Sequence, residues 1–511
     1  MDPVLLELFN NIFMGVAEQM GAVLKNTSTS VNIKERLDFS CAIFDAQGAL
    51  IANAPHVPVH LGAMGESVRT VIVSRAGRLR PGDAVVLNNP YNGGTHLPDV
   101  TVVTPVFGPD EKTIRFFVAN RGHHADIGGT TPGSMPPNST SLAEEGVVID
   151  DFLLVDQGVF REQDFRDLLA SSEWPARSPE VNIADIRAQL AANAAGAREL
   201  EALIDRYGWD GVSAYMGHVM ANAEESIRRV LGSIRDGVFD YPMDNGASLK
   251  VAVRVDHERR EAVIDFTGTG PEDAGNFNAP PSVTTSAVLY AFRSLVGDDL
   301  PLNEGCLAPL SIILPEGSFL SPSQGRAVVA GNTEISQAVC SALLGALGAA
   351  SCSQGTMNNF LFGAAAYQYY ETICGGAGAG PGFHGADAVH THMTNTRITD
   401  PEVLELRYPV RLERFAVRPG SGGDGRWRGG DGAVRAIRAL EPMTATFVGS
   451  RRSVAPFGLD GGEPGLAGTQ RIERADGSVV PFGAVDQVEL ATGDLVVIET
   501  PGAGGYGAAG D

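Results

Sequence analysis

The sequence predicts an α+β protein: a large multi-lobed chain of mixed sheets and helical layers with a β-rich C-terminal part. Three observations carry this. Short apolar runs divided by Gly, Pro and Asp fill residues 41–106 and recur through the last 110 residues. Between them lies sustained helical periodicity, chiefly over 180–236. The 62 Gly and 30 Pro require many turns, so long helical bundles cannot dominate.

Residues 3–25 place Leu5, Leu8, Phe9, Ile12, Phe13, Val16 and Met20 at helical spacing, which predicts an amphipathic helix. CAIFD, GALIA and DAVVLNN read as short strands, with a helical piece near 63–75. TVVTPVFG and TIRFFVAN read as a hairpin turning at Gly108, Pro109 and Asp110. Residues 121–145 form a long polar stretch rich in Gly and Pro, the kind of loop that is often functional. Two helices follow over 180–236, with a break at Gly208. SLKVAVRVD and REAVIDFTG predict a second hairpin, and helices are expected near 284–296 and 334–349. YPVRLERFAV, MTATFVGS, SVVPFG and DLVVIETPG make the end β-rich. The tail TPGAGGYGAAGD reads either as a flexible end or as a backbone-lined loop against a site. The expected regions are 1–180 (α/β, with the candidate site), 181–245 (helical), 246–400 (central α/β) and 401–511 (β-rich).

Bulk properties exclude several functions. Apolar residues at 43% and charged residues at 19% suit a globular protein with a core. A formal charge of −23 argues against a nucleic-acid partner, which needs a basic footprint. Cys41, Cys306, Cys340, Cys352 and Cys374 are odd in number, widely spaced and free of any CxxC pair. They read as reduced thiols of a cytoplasmic protein. Asp2 and Glu7 precede any Lys, and no run of about 20 apolar residues occurs, so neither a signal peptide nor a membrane span is expected.

The chemistry-bearing residues cluster. Gly93-Gly94-Thr95-His96-Leu97-Pro98-Asp99 lies between two strand-like runs, and an H-x-x-D turn can aim an imidazole and a carboxylate at one point. Further on, Asn120-Arg121-Gly122-His123-His124-Ala125-Asp126 begins where a strand ends. If those strands are neighbours, both segments open at one sheet end and converge on a divalent cation. A nitrogen and oxygen donor set without thiolates suits a catalytic Zn, Mn or Fe. Such a cation lowers the pKa of a bound water and supplies a nucleophile near neutral pH. The plain alternative is a hydrogen-bonded turn beside a surface His pair. His56 and His60 are expected in an extended segment before a helix, as packing groups or as an acid/base pair. In ETICGGAGAGPGFHGADAVHTHMTNTRITD, bare backbone amides could hold a phosphoryl group, although neither GK[ST] nor a strand–GxGxxG–helix context is present. Glu371, His390 and His392 are further candidates there, with H-x-H in an extended stretch placing both rings on one face. No GxSxG serine motif exists, and nothing marks a base for Cys374.

Taken together, ERLDFSCAIFDAQGALIANAPHVPVHLGAM, NNPYNGGTHLPDVTVVTPVF, VANRGHHADIGG, DFTGTG…NFNAP, NEGCLAPL, ETICGGAGAG…HTHMTNTRITDPE and TPGAGGYG resemble the hydantoinase B/oxoprolinase family in order and nearly end to end. The resemblance implies an A-type partner subunit that binds ATP and phosphorylates the carbonyl oxygen of a cyclic amide, in a hetero-oligomer. By motif it implies metal ligation by His96, Asp99 and a downstream His, either His123 or His124 with His123 favoured, and Asp126 fixing an imidazole tautomer from outside. His124 or His60 would carry the proton. Arg121 and the segment containing Gly375, Gly376 and Gly378 would hold the phosphate. The length is near that of simple hydantoinase B subunits, which favours hydrolysis of a hydantoin, 5-oxoproline or a lactam. The rivals are a carboxylase subunit of the acetone or acetophenone type and a scaffold subunit without a site of its own.

Overall fold

The structure is a computed structural model that describes residues 2–54, 56–297 and 302–510. Helices and several open sheets share the chain, in agreement with the α+β expectation.

The sheet that positions the site has seven strands: β1 Phe39–Asp45, β2 Leu50–Asn53, β3 Ala84–Leu87, β4 Asp99–Phe107, β5 Ile114–His123, β6 Phe152–Asp156 and β7 Val159–Phe160, in the order β2-β1-β5-β4-β3-β6-β7. Strand side chains alternate between faces, so CAIF feeds two cores at once. Cys41 and Ile43 pack with Val118 under the N-terminal helix Pro3–Thr27 and the helix Pro179–Tyr207. Ala42 and Phe44 pack with Phe117 and Val85 under the helix Pro58–Ser74. Phe44 and Phe117 are fully enclosed, and truncating either to Ala would cost about 3–5 kcal/mol.

The remaining strands are β8 Gly237–Pro242, β9 Ser248–Asp256, β10 Glu261–Asp265, β11 Leu310–Ile313, β12 Asn359–Ala364, β13 Tyr367–Thr372, β14 Val410–Arg418, β15 Gly432–Ala439, β16 Met443–Val448, β17 Thr469–Glu473, β18 Val479–Pro481, β19 Val485–Leu490 and β20 Leu495–Glu499. They form sheets ordered β11-β10-β9-β8, β13-β12-β16-β19 and β14-β15-β20-β17-β18, the second drawing on both sides of residue 400. The first of these packs on the helices Pro281–Ser294 and Ser336–Ala346 through Val251, Ile264, Phe292 and Leu343.

Local chemistry explains the predicted boundaries. Asp2 caps the first helix by accepting from the Val4 amide at 2.9 Å. Gly208, at φ 77°, separates Pro179–Tyr207 from Trp209–Leu231, where a Cβ would be strained. No helix among the described residues is long and apolar enough to cross a membrane.

The tail is not a flexible end. The amides of Gly504 and Gly505 donate to Cys352 and Glu463, and the chain there is buried. Glycine content looks the same for a frayed end and for a backbone wedged between loops; only the distant partners decide.

Candidate metal centre

β4 and β5 pair antiparallel over nearly their whole length, and the first residue of one faces the last residue of the other, Asp99 opposite His123. The H-x-x-D segment reaches β4 through a tight turn. Gly93 sits at φ 85°, and a Cβ on Gly94 would lie 2.3 Å from the Asn88 carbonyl oxygen. The Asn88 amide group donates to the Leu97 carbonyl at 2.8 Å, and the Asp99 amide donates to the His96 carbonyl at 3.1 Å, closing one turn. That turn folds the His96 ring back over the Asp99 carboxylate.

Asp99 is the hub. Its Oδ1 lies 3.1 Å from His96 Nε2 and 3.1 Å from His123 Nδ1. Its Oδ2 accepts from Thr95 Oγ1 at 2.7 Å and from Asn332 Nδ2 at 3.3 Å, and His60 Nε2 is 3.3 Å away. All of these side chains are buried. Burial alone would push the Asp99 carboxyl up, but His96, His60 and His123 outweigh it and hold the group well below the usual carboxylate range. Burial pushes His123 down, against the pull of Asp38 and Asp99. Tyr370 stacks on His123 at 4.8 Å and fixes the ring plane.

The donor set fits a divalent transition cation. Ligand atoms of His96, Asp99 and His123 all lie within 4.8 Å of one another. Among the described residues, both nitrogens of His96 and Nε2 of His123 lack a hydrogen-bond partner although buried. His96 Nε2 therefore approaches Asp99 without the alignment of a hydrogen bond. Buried imidazole nitrogens left this way are costly unless they ligate. Two imidazoles and one carboxylate without a thiolate are the ligands of a catalytic rather than a structural site.

Several expected residues take other places. His60 is not in an extended segment; it occupies the first turn of the Pro58–Ser74 helix, with Nδ1 3.3 Å from Ser40 Oγ. His124 points away from the centre, its Nε2 3.2 Å from Gln189 Oε1 and its Nδ1 accepting from Asn182 at 2.9 Å. Among the described residues Asp126 meets no imidazole: its carboxylate is bound by the Arg177 guanidinium at 2.8 Å and by the amides of Gly128, Gly133 and Arg177. Arg121 is fully buried and spends its guanidinium on Thr101 Oγ1 at 2.8 Å, Ser67 Oγ at 2.8 Å and the Gly93 carbonyl at 3.0 Å. It braces the turn that carries His96 rather than offering a fork to a phosphate.

The glycine segment is likewise committed. The amides of Gly375, Gly376 and Gly378 donate to the Val389 carbonyl, the Pro501 carbonyl and Ser353 Oγ. A Cβ at Gly376 or Gly378 would fall 2.1 Å from Gly430 O or 2.0 Å from Ser351 O, so these glycines serve close backbone packing. His390 and His392 do not share a strand face, since His392 sits at φ 55° in a turn. Glu371 is held in a buried fork by Arg435 at 2.8 Å on both oxygens, and burial pushes the Cys374 thiol up to about 11. Sequence reasoning missed Asn332, Asp38, Arg36 and Tyr370, all in or beside this constellation.

The family model for "Hydantoinase B/oxoprolinase" matches residues 2–509. The chain belongs to this family. Among relatives of the hydantoinase B/oxoprolinase family, 5-oxoprolinase 1 of Arabidopsis thaliana is 48% identical over 531 residues, covering 99% of this chain and 42% of the plant protein. This chain thus spans about two-fifths of that relative's length. The ATP-dependent caprolactamase of Pseudomonas jessenii superposes with a TM-score of 0.88 at 25% identity, covering 99% of this chain and 91% of that one. Acetone carboxylase, in its nucleotide-free structure, shares the fold with a TM-score of 0.87 at 16% identity, covering 99% of this chain and 76% of that one.

Proposed function

We propose that this chain is the B-type, hydrolytic component of an ATP-dependent amidohydrolase. Its substrate is a cyclic amide (a hydantoin, 5-oxoproline or a lactam) whose carbonyl oxygen a separate A-type ATP-binding subunit first phosphorylates. The observation that carries this is the Asp99-centred donor set, in a chain that matches nearly the whole of an ATP-dependent caprolactamase chain. The five cysteines, all free and buried, suit the reducing cytoplasm.

His96, Asp99 and His123 are the residues that would hold a Zn, Mn or Fe ion, and that ion would supply Lewis-acid chemistry near neutral pH. An unactivated amide is a poor electrophile; O-phosphorylation makes its carbon electron-poor, so that water adds, the C–N bond breaks as the ring nitrogen takes a proton, and a second water cleaves the resulting ring-opened acyl phosphate to carboxylate and phosphate. His60 stands beside Asp99, its Nε2 3.3 Å from Oδ2, and in this reading it carries the proton from the attacking water to the ring nitrogen. Asn332 and Thr95 hold Asp99 Oδ2 in place, and Tyr370 keeps the His123 ring from turning. Enclosure of the whole set keeps bulk water from screening these charges.

The fold likeness to acetone carboxylase supports a second reading, carboxylation of a phosphorylated enol. Products separate the two. The test is co-expression with an A-type ATP-binding subunit, followed by a screen of cyclic amides plus ATP with and without bicarbonate. A ring-opened acid formed without bicarbonate supports hydrolysis, and bicarbonate-dependent carbon gain supports the carboxylase. The chain alone should hydrolyse neither ATP nor amide, and robust activity without a partner would defeat the two-subunit account.

A further inference from the structure

Beside the Asp99 set lies a buried cation that the proposed chemistry has not yet used. Arg36 is fully enclosed, with no exposed surface. A guanidinium carries five N–H donors, and burying it without strong acceptors is expensive. Its contacts are few and long: Asp38 Oδ2 at 3.4 Å, Asn32 Oδ1 at 3.5 Å and Thr396 Oγ1 at 3.3 Å. Among the described residues its Nε has no acceptor at all.

The same protein shows what a self-sufficient buried arginine looks like. Arg435 meets Glu371 through two parallel bonds of 2.8 Å and needs nothing more. Among the described residues Arg36 has only the edge of one carboxylate, which it shares with the site: Asp38 Oδ1 lies 4.0 Å from His60 Nε2, and His60 Nε2 lies 3.3 Å from Asp99. Arg36 also lies over the Tyr370 ring at 4.5 Å, the ring that stacks on His123. The guanidinium is therefore tied to the metal-ligand set from two directions.

We propose that Arg36 is the receptor for an anionic oxygen group of the substrate, seated beside the reacting amide carbon. The group is either a carboxylate on the ring or the phosphoryl on the activated carbonyl oxygen. This rests on the cyclic-amide reading for its substrate class, and it reassigns the anion-holding role from Arg121 and the glycine segment, whose donors are already engaged. It gives the enzyme a preference: a ring that brings an anion to Arg36 completes the guanidinium fork, and a neutral ring leaves it unmade.

The test titrates the full-length, metal-loaded chain with three probes: 5-oxoproline, its neutral ring analogue 2-pyrrolidinone, and inorganic phosphate. Wild type should bind at least one anion about tenfold or more tighter than 2-pyrrolidinone. Arg36→Gln should erase that preference, and Arg36→Lys, which keeps the charge and loses the fork, should erase most of it, both with metal content retained. Preference for 5-oxoproline alone assigns the ring carboxylate to the site, and preference for phosphate assigns the phosphoryl. Equal binding of charged and neutral probes by wild type, no binding of any probe, or a preference that survives both substitutions would overturn the proposal. If Arg36→Gln does not fold, the lysine variant and the wild-type ranking still decide. A wild-type complex that turns over no cyclic amide, yet keeps Arg36-dependent anion binding, would refute the amidohydrolase reading while supporting the receptor.

Discussion

Asp99 and His123 face each other across the open end of the β4–β5 hairpin, joined by a 3.1 Å contact from Nδ1 of the imidazole to Oδ1 of the carboxylate. Because the pair is set by strand register, a one-residue slip of either strand would turn that strand's side chain to the opposite face of the sheet and destroy the centre. The rigidity of the site is thus the rigidity of the sheet beneath it.

The Glu371–Arg435 pair is structural. Removing one partner leaves the other charged and buried, so Glu371→Gln or Arg435→Met alone should lower unfolding free energy by about 3–5 kcal/mol, read from denaturant midpoints. Glu371→Leu with Arg435→Met together should recover part of that loss. Single variants as stable as wild type would contradict the account.

Gly378 acts through packing. Gly378→Ala drives a methyl group against the Ser351 carbonyl, so the melting temperature should fall by several degrees, about 1–3 kcal/mol in stability, with the KM of the folded fraction unchanged. A raised KM at unchanged stability would instead restore a ligand-cradling role to the segment.

Glu145 gives the fold a pH dependence. Burial raises its carboxyl from 4.5 to about 7, partly offset by the amides of Val328 and Val329 and by Ser139. The native chain therefore holds a proton that the unfolded chain releases in this window. The stabilisation from this group is complete below about pH 4.5 and is lost as pH rises through about 7. Its full size is on the order of 3 kcal/mol. Melting curves from pH 5 to 8 for wild type and Glu145→Gln should converge at low pH and diverge as pH rises, with the variant losing less stability. Parallel profiles would show that the native carboxylate is satisfied by its hydrogen bonds alone.

What the sequence made legible was what lies close along the chain. H-x-x-D is one turn, the His pair ends the next strand, and a hairpin brings them together without any long-range guess. His60 lies in a helix and not in the extended segment expected, because the helix starts at Pro58, a residue favoured in a first helical turn. Residue type alone let Arg121 be assigned to a phosphate and Asp126 to an imidazole, whereas both are buried among acceptors and donors of their own. Asn332 reaches Asp99 from 233 positions away, through a π-helical turn at Gly331–Ile335 that no periodicity announces. Gly376 packs on the backbone of Gly430 and Ala503, and Gly378 on that of Ser351, again distant partnerships.

The most direct measurement is metal analysis of the purified full-length chain and three variants by inductively coupled plasma mass spectrometry after transition-metal supplementation and gel filtration. A stoichiometric transition metal in wild type and in His124→Asn, lost in His96→Ala and Asp99→Asn with folding intact by circular dichroism, is the predicted result. Wild type without stoichiometric metal, or His96→Ala and Asp99→Asn that keep it, would contradict the centre on which the proposed chemistry depends.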